Sequence, residues 1–253
     1  MAFEALPLCP GEVHVWITDP DSDAIVDHPA RYLAWLSAEE RDRHARFVFD
    51  KDRRLFLAAH AQVRAALSLY ADVPPADWAF RANPYGRPEI ASPPPAEPLH
   101  FNLSHASGMV ASAVARVEGI GIDVERVERN CDEVEIARRF FARSEFEDLS
   151  ALSGDSLRRR FLEYWTLKES FAKACGQGLS LPLDQFWFRI ADAGEIALEA
   201  APGLGRSGRG WQFESFRPTP KHQAALAVCN RGGQRKRVTV RRFDLLTGAG
   251  AAI

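Results

Sequence analysis

The stretch GIDVERVERN, residues 121–130, reads as a strand on which the plan of the chain starts again. Ile120, Ile122 and Val124 alternate with Asp123 and Glu125, so with a side-chain period of 2 the two carboxylates share one face. Ahead of it, EVHVWIT (12–18) alternates Val13, Val15 and Ile17 against Glu12, His14 and Trp16, which predicts a first strand. Ser37 followed by Glu40 reads as a capping box opening the helix AEERDRHARFV, and a second helix covers 52–70. NPYGRPEI (83–90) is a turn, SPPPAEP (92–98) a stiff connector, and HFNLSHASGMVASAVARV (100–117) two strands joined at Ser107-Gly108.

Beyond residue 121 the order repeats. DEVEIARRFFARSEFEDLSAL leads to a long helix, DSLRRRFLEYWTLKESFAKACG, closed by Gly176, and then to the strands FWFRI, EIALE, WQFESF and QAALAVC. Even the helix starts rhyme, RRLFL against RRRFL. These patterns predict an α+β fold made of two similar halves, 1–118 and 119–253, with a flexible tail LLTGAGAAI and with Glu128 and Arg129 on the surface.

A chain of 253 residues with 46% hydrophobic and 26% charged residues has the composition of a globular protein. Its net charge of −2 argues against a dedicated nucleic-acid binder. The apolar runs are too short to span a bilayer and the N-terminal stretch lacks a signal-peptide pattern, so a cytoplasmic location is expected. Cys9, Cys131, Cys175 and Cys229 are scattered without a metal or redox spacing. Arg outnumbers Lys 27 to 5, and two of the five lysines fall within WTLKESFAK (165–173).

Three segments concentrate the chemistry. Glu169 and Lys173 lie four apart on one helix face, which suits either a surface ion pair or, beside the apolar Phe161, Trp165 and Phe171, a partly buried acid and base. Asp123 and Glu125 suit a solvated strand face or, joined by Glu169, an oxygen donor set for Mg²⁺. In FNLSHASG (101–108), Ser104 and His105 are no hydrolase pair, since neighbours in a strand face opposite ways; they suit anion binding, or a satisfied core histidine. Arg87, in the GRP turn, could present a guanidinium to phosphate or carboxylate.

Together GRP (86–88), FNLSHASG, GIDVE (121–125), FFARSEFEDL (140–149) and WTLKESFAKACGQGLSLPL (165–183) resemble the 4'-phosphopantetheinyl transferases, in particular the larger two-half type that activates non-ribosomal peptide and polyketide synthases. The resemblance implies two halves related by pseudo-twofold symmetry, with the site between them. It implies an enzyme, a holo-carrier-protein synthase, that moves the phosphopantetheine arm of coenzyme A onto a serine of an apo acyl or peptidyl carrier protein and releases adenosine 3',5'-bisphosphate. Fatty acid synthesis also uses such carriers. Asp123, Glu125 and Glu169 would hold Mg²⁺, or Mn²⁺ in its place. Lys173 would stabilise the leaving group, Glu169 would activate the carrier serine, and Ser104 and His105 would grip the phosphates. Asp123 and Lys173 would also adjoin the coenzyme, with Arg43 and Arg87 on its 3'-phosphate and Arg53, Arg54 and His60 nearby. Lys168 would bond carrier or coenzyme, or support its helix, and Glu145 matches an acidic family position. The carrier's acidic helix is expected to dock near Arg138, Arg139, Arg158 and Arg159. A monomer without nucleic-acid or membrane partners is expected. Two rival readings stay open from the residues: another Mg²⁺-dependent diphosphate hydrolase, and a non-catalytic carrier-binding module.

Overall fold

Strand β1 (Glu12–Thr18) sits in the interior of a sheet, with a parallel neighbour on one side and an antiparallel one on the other. The computed structural model describes residues 5–128, 131–191, 194–204, 210–247 and 250–252. These divide into two compact units, 1–118 with 236–253, and 119–235.

In the first unit the helices α1 (Asp23–Asp27), α2 (Pro29–Leu33), α3 (Ala38–Ala45) and α4 (Asp50–Ser68) are followed by the hairpin β2 (Ala79–Ala82) and β3 (Pro88–Ser92). A second hairpin, β4 (His100–Ala106) and β5 (Met109–Ala115), turns through Ser107 and Gly108, whose φ of 84° is one that glycine adopts without strain. Residues of α4 such as Leu57, Ala61 and Ala65 share a core with Trp16, Phe101, Val110 and Val114 of the sheet. The capping box of α3 is present as the sequence predicts: Glu40 N–H donates to Ser37 Oγ at 3.1 Å, and Ser37 N–H donates to Glu40 Oε2 at 2.8 Å.

The predicted first strand is present as β1, and all seven of its residues are buried. Its polar side chains have partners: Trp16 Nε1 donates to the Tyr70 hydroxyl at 2.8 Å, His14 Nδ1 lies 2.8 Å from the same hydroxyl, and Glu12 pairs with Arg237. The C-terminal segment belongs with the first half rather than the second. Strand β11 (Arg237–Phe243) lies parallel to β1, and β12 (Gly250–Ala252) pairs with β11, giving the sheet order β12-β11-β1-β5-β4. Leu245, in the tail expected to be flexible, is buried in the core.

The second unit holds β6 (Ile120–Arg126), α5 (Glu133–Phe140), α6 (Arg143–Ser150), α7 (Gly154–Ala174), the hairpin β7 (Phe186–Ile190) and β8 (Ile196–Ala200), and the hairpin β9 (Trp211–Thr219) and β10 (His222–Cys229). Its sheet order β6-β10-β9 repeats β1-β5-β4 of the first unit, antiparallel throughout, with α7 in the role of α4. Glu128 is exposed, whereas Arg129 lies outside the described residues.

Candidate functional site

Gly121 sets how closely β6 lies against α7. A Cβ built there would fall 2.0 Å from the Ser170 carbonyl oxygen and 2.4 Å from the Ala174 nitrogen, so only a hydrogen fits. At that spacing Lys173 Nζ donates to Asp123 Oδ1 at 2.6 Å and to the Ile122 carbonyl at 3.2 Å. Two positions along the strand, Glu125 Oε1 accepts from the Trp165 indole Nε1 at 3.0 Å. Trp165, Glu169 and Lys173 follow at steps of four and so form one stripe of α7. Lys173 meets the earlier strand carboxylate and Trp165 the later one, which leaves Glu169 between them on the stripe. Asp123 is only 5% exposed, while Glu125, Glu169 and Lys173 are half-buried.

Three carboxylates on two packed elements are hard oxygen donors of the kind Mg²⁺ prefers. The expected metal set is nevertheless not closed: among the described residues, no group of three or more His, Cys, Asp or Glu side chains is drawn together as a metal site. The physical reason lies in the hydrogen bonds. The ammonium of Lys173 takes the place of a cation against Asp123, and the indole N–H takes one oxygen of Glu125. In donor chemistry the residues fit a hard divalent ion, which would compete with Lys173 for Asp123.

In the first unit the expected phosphate contacts lie on separate elements. Ser104 and His105 occupy edge strand β4 and face opposite ways: Ser104 is 6% exposed and His105 is open to solvent, so His105 is not a core histidine. Arg87 is half-buried, with Nη2 donating to the Phe101 carbonyl at 3.2 Å. Arg43 is exposed on α3, its guanidinium 5.5 Å from the Phe56 ring centroid. Arg53 and Arg54 pair with Asp50 and Asp21 at 2.5 and 2.7 Å, and His60 Nδ1 lies 2.8 Å from Glu40 Oε1.

Comparison with known proteins identifies the family. Residues 119–229 match the 4'-phosphopantetheinyl transferase superfamily, and residues 26–117 match the N-terminal domain of 4'-phosphopantetheinyl transferases. A 4'-phosphopantetheinyl transferase of Bacillus subtilis is 36% identical over 173 residues, 68% of this chain and 75% of its own length. The 4'-phosphopantetheinyl transferase HetI of a Nostoc species is 32% identical over 235 residues, 91% of this chain and 93% of its own length. The chain belongs to the 4'-phosphopantetheinyl transferase superfamily.

In this transferase, Lys168 is placed differently from the two neighbours that flank it in the motif. It is fully buried, and its three N–H bonds go to Glu145 Oε2 at 2.7 Å and to the Leu183 and Phe186 carbonyls at 2.7 and 2.6 Å. Glu145, 1% exposed, also accepts from the Ala142 and Phe188 amides at 3.1 and 3.0 Å. Burial pushes the Lys168 pKa down and the Glu145 pKa up, and each is opposed by the charge of the other. Of the two roles expected for Lys168, support of the helix is the one its surroundings show, and Glu145 is its partner. Two residues of the candidate site, Gly121 and Trp165, have contacts that the sequence reading did not assign. Trp165 had a readable signal, since it stands four positions before Glu169.

Proposed function

We propose that the transferase moves the 4'-phosphopantetheine arm of coenzyme A onto a serine hydroxyl of an apo acyl or peptidyl carrier protein, releasing adenosine 3',5'-bisphosphate. The observation that carries this is the stripe of Trp165, Glu169 and Lys173 on α7 set against Asp123 and Glu125 of β6. Asp123, Glu125 and Glu169 would hold Mg²⁺ or Mn²⁺, which when bound offsets the charge of the pyrophosphate. The serine oxygen bonds to the β-phosphorus as the bond to the bridging oxygen breaks, and Lys173 neutralises the oxygen that leaves. Glu169 takes the serine proton, for which one of its oxygens must stay uncommitted to a cation. His105, being exposed, is the stronger phosphate contact of β4; Ser104 can reach only from the buried side. Arg43 and Arg87 supply cations for the 3'-phosphate, with the coenzyme also adjoining Asp123 and Lys173.

Incubation with coenzyme A, Mg²⁺ and several apo-carriers, followed by mass spectrometry of the carriers, tests the reaction. A phosphopantetheine adduct is expected; no adduct on any carrier overturns it, and full activity in Asp123→Ala overturns the metal assignment. For carrier docking, the observations in favour are the exposed Phe140 on α5, with Arg139 stacked 5.2 Å from its ring centroid, and the neighbouring Arg138. Charge reversal at Arg138, Arg139, Arg158 and Arg159 should raise KM for apo-carrier and leave KM for coenzyme A unchanged. No helix among the described residues is long and apolar enough to cross a membrane. A cytoplasmic monomer completes the proposal, and sedimentation of the purified chain checks the monomer.

A further inference from the structure

Glu125 ends the run of carboxylates on β6 and is half-buried, so packing alone leaves its side chain rotamer freedom. Fixing a glutamate of this length costs conformational entropy. The Trp165 indole is a donor only, and it donates to one oxygen, Oε1, at 3.0 Å. That bond selects one rotamer and turns the second oxygen away from the indole. The indole itself is held: its ring lies 6.1 Å from Phe161 at an interplanar angle of 19° and 6.3 Å from Phe141 at 27°, and Phe141 and Phe161 stack on each other at 5.5 Å. An aromatic stack therefore fixes the donor, and the donor fixes the carboxylate.

We infer that Trp165 is a positioning residue for the metal site: its indole N–H orients Glu125 so that the carboxylate meets a divalent cation in its binding rotamer. This rests on the proposed role of Glu125 as a metal ligand. Groups that orient a ligand in this way change metal affinity by about 10- to 100-fold when removed. Trp165→Phe keeps a ring in the stack and deletes only the donor. Glu125→Gln deletes the ligand charge.

The test is Mn²⁺ titration of the purified protein without substrates, counting free Mn²⁺ by electron paramagnetic resonance, beside thermal unfolding of each variant. Trp165→Phe is expected to unfold near the wild-type temperature and to bind Mn²⁺ at least about 10-fold more weakly, with Trp165→His, which keeps a ring N–H, recovering part of the loss. Wild-type affinity in Trp165→Phe, with affinity lost in Glu125→Gln, overturns the role of the indole alone. Wild-type affinity in Glu125→Gln, or no Mn²⁺ binding by the wild type, overturns the metal reading and this inference with it. Should Trp165→Phe fail to fold, the indole N–H resonance of Trp165 in the wild type decides. A shift of that resonance in Glu125→Gln and on Mg²⁺ addition supports the inference, and an unmoved resonance overturns it.

Discussion

Lys168 and Lys173 lie five positions apart on one helix and have opposite characters. Lys173 stays half-buried and reaches the acidic strand, whereas Lys168 is sealed among three oxygen acceptors. Removing a lysine from such a pair leaves a buried carboxylate without its counter-charge. Lys168→Met should therefore cost about 3 to 5 kcal/mol of stability by urea denaturation. Lys168→Met with Glu145→Gln should recover part of that loss, because the orphaned charge is gone. The motif WTLKESFAK pointed to Lys173 as the lysine beside the carboxylates and left Lys168 between a contact with carrier or coenzyme and support of its helix. Sequence spacing shows which residues share a helix face; the acceptors that bury Lys168 come from Glu145, Leu183 and Phe186, and only tertiary folding brings them to it.

At the scale of elements, one acid, Glu40, makes several of the bonds that fasten α3 to α4. Glu40 caps its own helix, pairs with His60 and accepts from Arg64 Nη2 at 2.6 Å. Burial alone would raise its pKa, but the His60 hydrogen bond and the Arg64 charge outweigh it and bring the group from 4.5 down to about 2. A carboxylate with a depressed pKa contributes stability above its unfolded value and loses it as pH falls through the folded one. The contribution, on the order of 3 kcal/mol, is accordingly lost between about pH 4.5 and 2. His14 adds a second window: burial, aided by Arg241, lowers its pKa from 6.5 to about 4, so unfolding takes up a proton between those values. Stability measured by denaturation should fall from about pH 6.5 downward, and Glu40→Gln should flatten the lower part of that limb alone. The capping box was legible in Ser37 and Glu40, because a cap is local. His60 and Arg64 joined it only through the fold.

For the whole molecule, the two sheets show how far order along a chain reveals order in space. Both the hairpin at Ser107-Gly108 and the repeated helix-to-hairpin plan were legible, since each depends on neighbours in sequence. Strand β11 was not: RVTVRRF has few apolar residues, and its partner β1 lies far away, Arg237 meeting Glu12 225 positions earlier. Truncation after Arg235 removes β11 and β12 and makes β1 an edge. The truncated chain should lose several degrees of thermal stability, and hydrogen exchange of the β1 amides should quicken while that of α7 and β6 stays slow.

Because β1 precedes the second unit and its parallel partner β11 follows it, the first unit cannot pair these two strands during synthesis until the second unit has been made. The second unit, encoded wholly in between, has every strand of its own sheet available earlier. On the ribosome the half that carries Asp123, Glu169 and Lys173 can therefore fold while the half that begins the chain still waits for its last strand.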